Sequence, residues 1–143
     1  MARFRYQRTN AGPRADLPGV KFRSGWERNL ARWFNFESVA WEFEPVRFEF
    51  TGIKRGTRGY TPDFYLPELD AFVEVKGYLP ATDKTRMRRF RKYWPEEWPK
   101  LMVVPGSPNT EAAAFFAELE VPVLAYYRDL NKSYKDVIEH WGE

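Results

Sequence analysis

An α/β domain with a mixed central β-sheet flanked by helices is what this sequence predicts, on three observations. Apolar residues recur at helical spacing in separate segments, as Trp26, Leu30, Trp33 and Phe34 do. Elsewhere they alternate with period two, with Val46, Phe48 and Phe50 on one face and Arg47 and Glu49 on the other. The two patterns interleave along the 143 residues in the order helix, strands, helix, strand, helix, strand, helix.

Each element has a local reason. "SGWERNLARWFNF" reads as the first helix, with Ser24 placed as its N-cap. Two short strands are expected around 39–43 and 46–51, because Pro45 interrupts "VAWEFEPVRFEFTG". "KRGTRGY" is a loop, since two glycines bracket charged residues, and "YTPDFYLPELDAFVEVKG" is a strand pair around a turn. "TDKTRMRRFRKYW" is a helix with Met87, Phe90 and Trp94 inward and its cations outward, closed by Pro95 and Pro99. "KLMVV" predicts a strand, "NTEAAAFFAELE" a capped helix, "VPVLAYY" an edge strand because of Pro122, and "KSYKDVIEHW" a last helix. Trp33, Phe34, Phe48 and Phe64 are assigned to the core. Trp94 and Trp98 are read first as packing residues and second as platforms for splayed bases.

Composition removes several chemistries. Twelve Phe, eight Tyr and six Trp imply a packed core. The absence of cysteine excludes disulfides, thiolate nucleophiles and cysteine-ligated zinc, and one histidine, His140, excludes multi-histidine metal sites. No apolar run reaches the length of a membrane span, and "MARFRYQRTN" lacks the apolar centre of a signal peptide. The expectation is a cytoplasmic protein with no membrane partner.

Net charge is only +3, but cations crowd the first two-thirds of the chain and acids the last third. Arg3, Arg5, Arg8, Arg14, Lys21 and Arg23 oppose Asp16 alone in a stretch punctuated by Gly and Pro. Residues 1–21 therefore read as a flexible basic arm, and 22–143 as the folded domain. Lys54, Arg55 and Arg58 form a second cluster in the glycine loop. Lys84, Arg86, Arg88, Arg89, Arg91 and Lys92 form a third on a helix. Such clusters neutralise phosphates, so DNA is the expected partner, although a charge run is also an ordinary solvated face.

The strand pair carries the chemistry. Side chains alternate, so Glu74 and Lys76 share one face while Val73 and Val75 take the other. With the turn after Pro67 centred on Glu68 and Leu69, Asp63 falls directly opposite Glu74, about 5 Å away at Cβ. Two carboxylates that close repel unless a cation sits between them or one is protonated. Mg²⁺ or Mn²⁺ resolves the conflict through oxygen ligands from Asp63 and Glu74, with the backbone of Val75 as a third donor. Lys76 beside it would orient a water and offset charge on a phosphate.

"TPDF" followed by "VEVKG" resembles the signature of the PD-(D/E)XK nuclease superfamily. With "FRSGWE" (22–27), "WEFE" (41–44), "YTPDFYLP" (60–67) and "FVEVKG" (72–77) in the same order and at similar spacing, the chain is similar to the bacteriophage endonuclease I family of Holliday-junction resolvases. The resemblance implies a restriction-endonuclease-like core. It makes Asp63 and Glu74 metal ligands, Lys76 the catalytic lysine and Glu27 a helix-borne fourth catalytic residue. It implies a phage-type homodimer whose two sites cut opposed strands of a four-way DNA junction. That family has a basic C-terminal end, whereas this chain ends acidic, and beyond Gly77 the likeness fades.

Alternatives stand beside this. Ser24-x-x-Glu27 is also a capping box, in which Glu27 serves its own helix. The same chemistry would suit a transposon-end, restriction or repair endonuclease. A catalytically inactive nucleic-acid-binding module on the same fold is disfavoured because no catalytic position is substituted, and a small basic structural protein, such as an RNA-binding subunit, would explain the basic arm but not the acid pair. For a dimer, the aromatic-rich strands at 39–51 are the candidate for part of the interface.

Overall fold

The computed structural model describes residues 14–143 and the backbone of the strand at 2–4. Eleven elements follow in order: β1 (Ala2–Phe4), α1 (Gly25–Phe36), β2 (Glu42–Phe43), β3 (Val46–Glu49), β4 (Gly59–Tyr60), β5 (Phe64–Leu66), β6 (Ala71–Lys76), α2 (Ala81–Tyr93), β7 (Leu101–Pro105), α3 (Glu111–Glu118) and α4 (Tyr127–Tyr134), with a short 3₁₀ turn at Trp98–Lys100. The fold is mixed α/β. Its centre is a four-stranded sheet in the order β2-β5-β6-β7, in which β6 and β7 are parallel and the other pairs antiparallel.

The expected single sheet is two sheets. Pro45 has no N–H to donate to a ladder, and Glu44 before it turns through a positive φ of 48° while its own N–H bonds Asp63 O at 2.8 Å. The chain therefore leaves the central sheet after β2 and begins a second, antiparallel sheet in the order β1-β3-β4.

Alternation on β6 and β7 divides the core into two layers. Phe72, Leu101 and Val103 face a cluster with Val46, Phe48, Tyr60, Met87, Phe90 and Phe116, which joins the small sheet, α2 and α3. Val73 and Val104 face the opposite cluster, with Leu30 and Phe34 of α1, Phe64 and Leu130 of α4. Phe34, Phe48 and Phe64 are buried as expected, and Trp33, Trp94 and Trp98 pack partly buried against these clusters. Trp94 Nε1 also donates to Glu49 O at 2.9 Å. Because Phe43, Val46, Phe48 and Phe50 are consumed by the chain's own core, strands 39–51 do not supply the apolar dimer face expected of them.

The C-terminal third differs from expectation in two places. Residues 121–127 run beside β7 but form only one bridge, Val103 to Val123, because Pro122 offers an acceptor and no donor. The last helix starts earlier and stops at Tyr134, with turns rather than helix over most of 135–143. Among the described residues no helix is long and apolar enough to cross a membrane.

The described part of the segment read as a flexible arm, 14–21, is tied to the domain at Leu17 and Asp16 and otherwise largely exposed. Leu17 is fully buried, and Asp16 pairs with Arg32, whose side chain is 2% exposed, at 2.8 Å. Arg5 and Arg8 lie outside the described residues. Burial works to raise the Asp16 pKa, but the Arg32 guanidinium holds it below the ordinary aspartate value. The stability this contributes is present above the unfolded value, about 3.9, and is lost as pH falls through the depressed folded value. Asp16→Ala leaves a buried guanidinium with Asn29 Oδ1 as its remaining partner, 2.8 Å away. We predict a loss of about 3 kcal/mol in urea unfolding at pH 7; a change under about 0.5 kcal/mol, the usual surface value, would contradict it.

Candidate active site

The hairpin register is what the turn geometry predicts. Phe64 pairs with Val73, Tyr65 with Phe72 and Leu66 with Ala71, so one step further out Asp63 comes level with Glu74. Both lie on the face of β5 and β6 that meets the small sheet, and both are nearly fully buried. Asp63 Oδ2 accepts the Val75 N–H at 2.8 Å. Glu74 Oε1 accepts the Tyr60 hydroxyl at 2.7 Å, and its Oε2 lies 3.2 Å from Lys76 Nζ. Lys76 Nζ also donates to Asp83 Oδ2 at 2.9 Å.

These groups open into a cavity of about 600 Å³ that also takes in Glu27, Val75 and Met87, with Arg23, Arg47, Arg58 and Arg86 on its walls. The four residues expected to be catalytic, Glu27, Asp63, Glu74 and Lys76, are thus brought to one cavity from α1, the β5 approach and β6. Glu27 lines this cavity and also serves its own helix. Ser24 Oγ accepts the Glu27 N–H while Glu27 Oε1 accepts the N–H groups of Ser24 and Arg23 at 3.1 and 2.8 Å, a complete capping box. Both amides converge on Oε1, which holds the carboxylate against the cavity wall beside Asp63.

Placement of Glu27 is set by its neighbour. Trp26 lies against the ends of β6 and β7, where a Cβ on Gly77 or Gly106 would come within 3.2 or 3.1 Å of its ring. The other side of Trp26 stacks on Tyr127 at 4.2 Å between centroids.

Electrostatics give the acid pair its character. Burial, then the charges of Glu74 and Glu27, raise the Asp63 pKa well above the ordinary aspartate value. Burial also raises Glu74, against the opposing pull of Lys76 and Tyr60. Burial alone would lower the Lys76 pKa, but Glu74 and Asp83 outweigh it and the amine is held firmly protonated. Tyr60, buried beside Glu74, is pushed far up and stays a neutral donor. The one ammonium is shared with Asp83, so the buried carboxylates are undercompensated. Oxygen donors, burial and excess negative charge fit Mg²⁺ or Mn²⁺ held by Asp63 and Glu74, with Val75 lining the same space. Among the described residues no group of three or more His, Cys, Asp or Glu side chains is arranged as a metal cage. A cation on this pair would therefore depend on water and substrate for its remaining ligands.

The cations expected to bind DNA divide. Arg58 and Arg86 reach the cavity, and Lys54 and Arg55 are exposed on the loop beside it. Arg86 Nε donates to Thr57 Oγ1 and Arg89 to the carbonyls of Arg55 and Thr57, so α2 holds that loop. Lys84 and Arg88 turn toward α3, where Lys84 pairs with Glu111 and both approach the Phe115 ring. Arg23 forks onto Glu44, Lys21 is exposed, and Arg14 bonds the carbonyl of Glu143. Arg3 lies in β1, opposite Arg47 in the register.

Sequence reasoning missed Tyr60, Arg47 and Asp83. Asp83 looked like an ordinary acid in a helix's first turn, and Tyr60 like a loop aromatic. Neither had a sequence signal, since Asp83 reaches Lys76 from another element and Tyr60 reaches Glu74 from another sheet. The chain matches no family model, no curated protein and no solved structure.

A carboxylate with a raised folded pKa favours folding at low pH, and that advantage is lost as pH rises from the unfolded value near 4 through the folded one. At neutral pH and without metal, the ionised pair is therefore a strain on the fold. Asp63→Asn keeps an acceptor for Val75 and should raise the metal-free melting temperature by about 3 °C or more, the shift that roughly 1 kcal/mol produces in a domain of this size. Mn²⁺ should raise the wild-type melting temperature and leave that of the variant unchanged; equal Mn²⁺ shifts would remove the pair as the cation site.

Glu27→Gln separates the cap from the expected catalytic role. The amide still accepts the cap bonds, so melting should change by less than about 1 kcal/mol, while any catalytic rate should fall by roughly a hundredfold or more.

Proposed function

We propose that this protein is a divalent-metal-dependent endonuclease of the PD-(D/E)XK type, with a restriction-endonuclease-like core, that resolves four-way DNA junctions as a homodimer. The observation that supports the nuclease reading best is the register-matched, buried Asp63–Glu74 pair with Lys76 on the same face, opening into a cavity walled by arginines. The junction as substrate, the paired cuts and the phage-type origin rest on the sequence likeness over residues 22–77.

Asp63 and Glu74, oriented by the Val75 N–H and the Tyr60 hydroxyl, would hold Mg²⁺ or Mn²⁺, which would supply charge neutralisation for the buried acids and polarisation of the phosphodiester. Lys76, fixed between Glu74 and Asp83, presents its ammonium to the attacking water and to charge developing on the phosphate. Glu27, anchored by its cap, supplies a further acceptor for that water. Lys54, Arg55 and Arg58 on the loop bind the flanking phosphates. The homodimer follows from the substrate: a junction has approximate two-fold symmetry and needs two opposed cuts, and one acid-pair cavity is found among the described residues of a chain.

Asp63→Asn, Glu74→Gln and Lys76→Ala should each lower junction cleavage by several orders of magnitude and leave junction binding in Ca²⁺ within about threefold, since phosphate contacts carry affinity. Full cleavage by any of the three would sink the site assignment. On a supercoiled plasmid extruding a cruciform, the dimer should yield linear product directly, because one nick releases the supercoiling and abolishes the junction. Nicked circles at early times, or equal cutting of linear duplex, would redirect the reading to a restriction, repair or transposition endonuclease.

A further inference from the structure

Arg47 is a cation of the cavity wall that the resemblance does not assign and that no described residue engages. Among the described residues no hydrogen bond or ion pair holds its guanidinium. Lys76 is committed to Glu74 and Asp83, Arg86 to Asp83 and Arg23 to Glu44, while Arg58, also without such a bond among the described residues, is exposed on the loop. A free guanidinium on a mobile surface side chain would be unremarkable, but Arg47 is placed by its scaffold. It lies mid-strand in β3, paired on one side with β1 and on the other with β4, between the buried anchors Val46 and Phe48.

Its seat is built. Glu49 pairs with Gly59 and Phe48 with Tyr60, so Arg47 lies diagonal to Gly59 on the same face, within reach of a long side chain. A Cβ on Gly59 would stand 2.6 Å from both Cζ and Nη2 of Arg47 and 3.0 Å from Nε. The guanidinium thus occupies the space that any other residue at 59 would fill. Glycine weakens a strand, and its usual reason is the close approach of another group. Here that group is a charged fork, and it lines the cavity that holds the acid pair.

We propose that Arg47, seated on the bare backbone of Gly59, is the residue by which the cavity grips a DNA phosphate beside the Asp63–Glu74 pair. The guanidinium fork matches two phosphate oxygens, and with no carboxylate to leave it costs no intramolecular ion pair to engage. The inference deepens the nuclease reading and rests on it for the identity of the phosphate.

Gly59→Ala provides a test that a charge deletion alone does not. It retains every charge, and the group it displaces is the far end of a flexible side chain, so its melting temperature should stay within about 3 °C of wild type. Single-turnover cleavage of a synthetic four-way junction in Mg²⁺ should fall by roughly a hundredfold in Arg47→Ala and by about tenfold or more in Gly59→Ala, as the fork is pushed out of place. The double variant should match Arg47→Ala within about twofold, since the two residues serve one contact. In Ca²⁺, Arg47→Ala should make the slope of log affinity against log salt shallower by about 0.9, one phosphate contact. Wild-type cleavage by Gly59→Ala, or a double variant that loses the product of the two single effects, would overturn the proposal. Should the wild type cleave no DNA with Mg²⁺ or Mn²⁺, the nuclease reading falls and the Ca²⁺ series decides this inference alone. A shallower slope in Arg47→Ala keeps the phosphate contact; an unchanged slope removes it.

Discussion

Two carboxylates forced to the same level of a buried hairpin are the constraint around which this fold is organised. Asp63 and Glu74 cannot separate, because Phe64, Leu66 and Val73 lock the register from the opposite face. A slip of one residue would exchange the two faces and drive Asp63 or Glu74 into the apolar layer under α1. The surroundings answer the resulting repulsion from several directions. The Val75 amide and the Tyr60 hydroxyl supply donors, and Lys76 supplies charge. Tyr60 reaches Glu74 only because a second sheet lies against the first, so the break at Glu44–Pro45 that creates that sheet is part of the site's construction.

The helix α2 has a double office. Its inner face, Met87 and Phe90, closes the core beneath the small sheet. Its first turn sends Asp83 to Lys76, and the next turns send Arg86 and Arg89 to the 54–58 loop. One rigid rod therefore spans from the acid pair to the exposed cations of the loop. The charges of the site and of its rim are set in a common frame, and their spacing is insensitive to motion elsewhere.

Local chemistry made much of this legible in the sequence. The Ser24 cap, the period-two pattern of Val46–Phe50, the Met87–Phe90 spacing and the hairpin centred on Glu68 and Leu69 each depend on residues near in sequence. From these the facing of Asp63 and Glu74 could be deduced. What escaped was set by distant packing. Pro45 announces an interruption but not that the chain will leave for another sheet. Pro122 announces an edge but not that only a single bridge will form there. The exact partners of each cation were equally hidden, since Lys84 meeting Glu111 and Arg89 meeting the 54–58 loop depend on how α2 lies against α3 and β4. Leu17 and Asp16 were masked by the glycines, prolines and cations around them, a composition that suggests freedom even where one leucine and one ion pair bind the segment down.

Trp26 sets a tolerance on the whole assembly. Its ring is gauged on one side by the side-chain-free ends of β6 and β7 at Gly77 and Gly106 and on the other by Tyr127. Successive helical residues are about 100° apart around the axis, so fixing Trp26 fixes the azimuth of Glu27. The indole works as a machinist's dowel pin, registering a helix to a sheet so that a carboxylate on one meets a pair of carboxylates on the other. A methyl group added at either glycine would be felt as an angular error at Glu27, although neither glycine touches the chemistry.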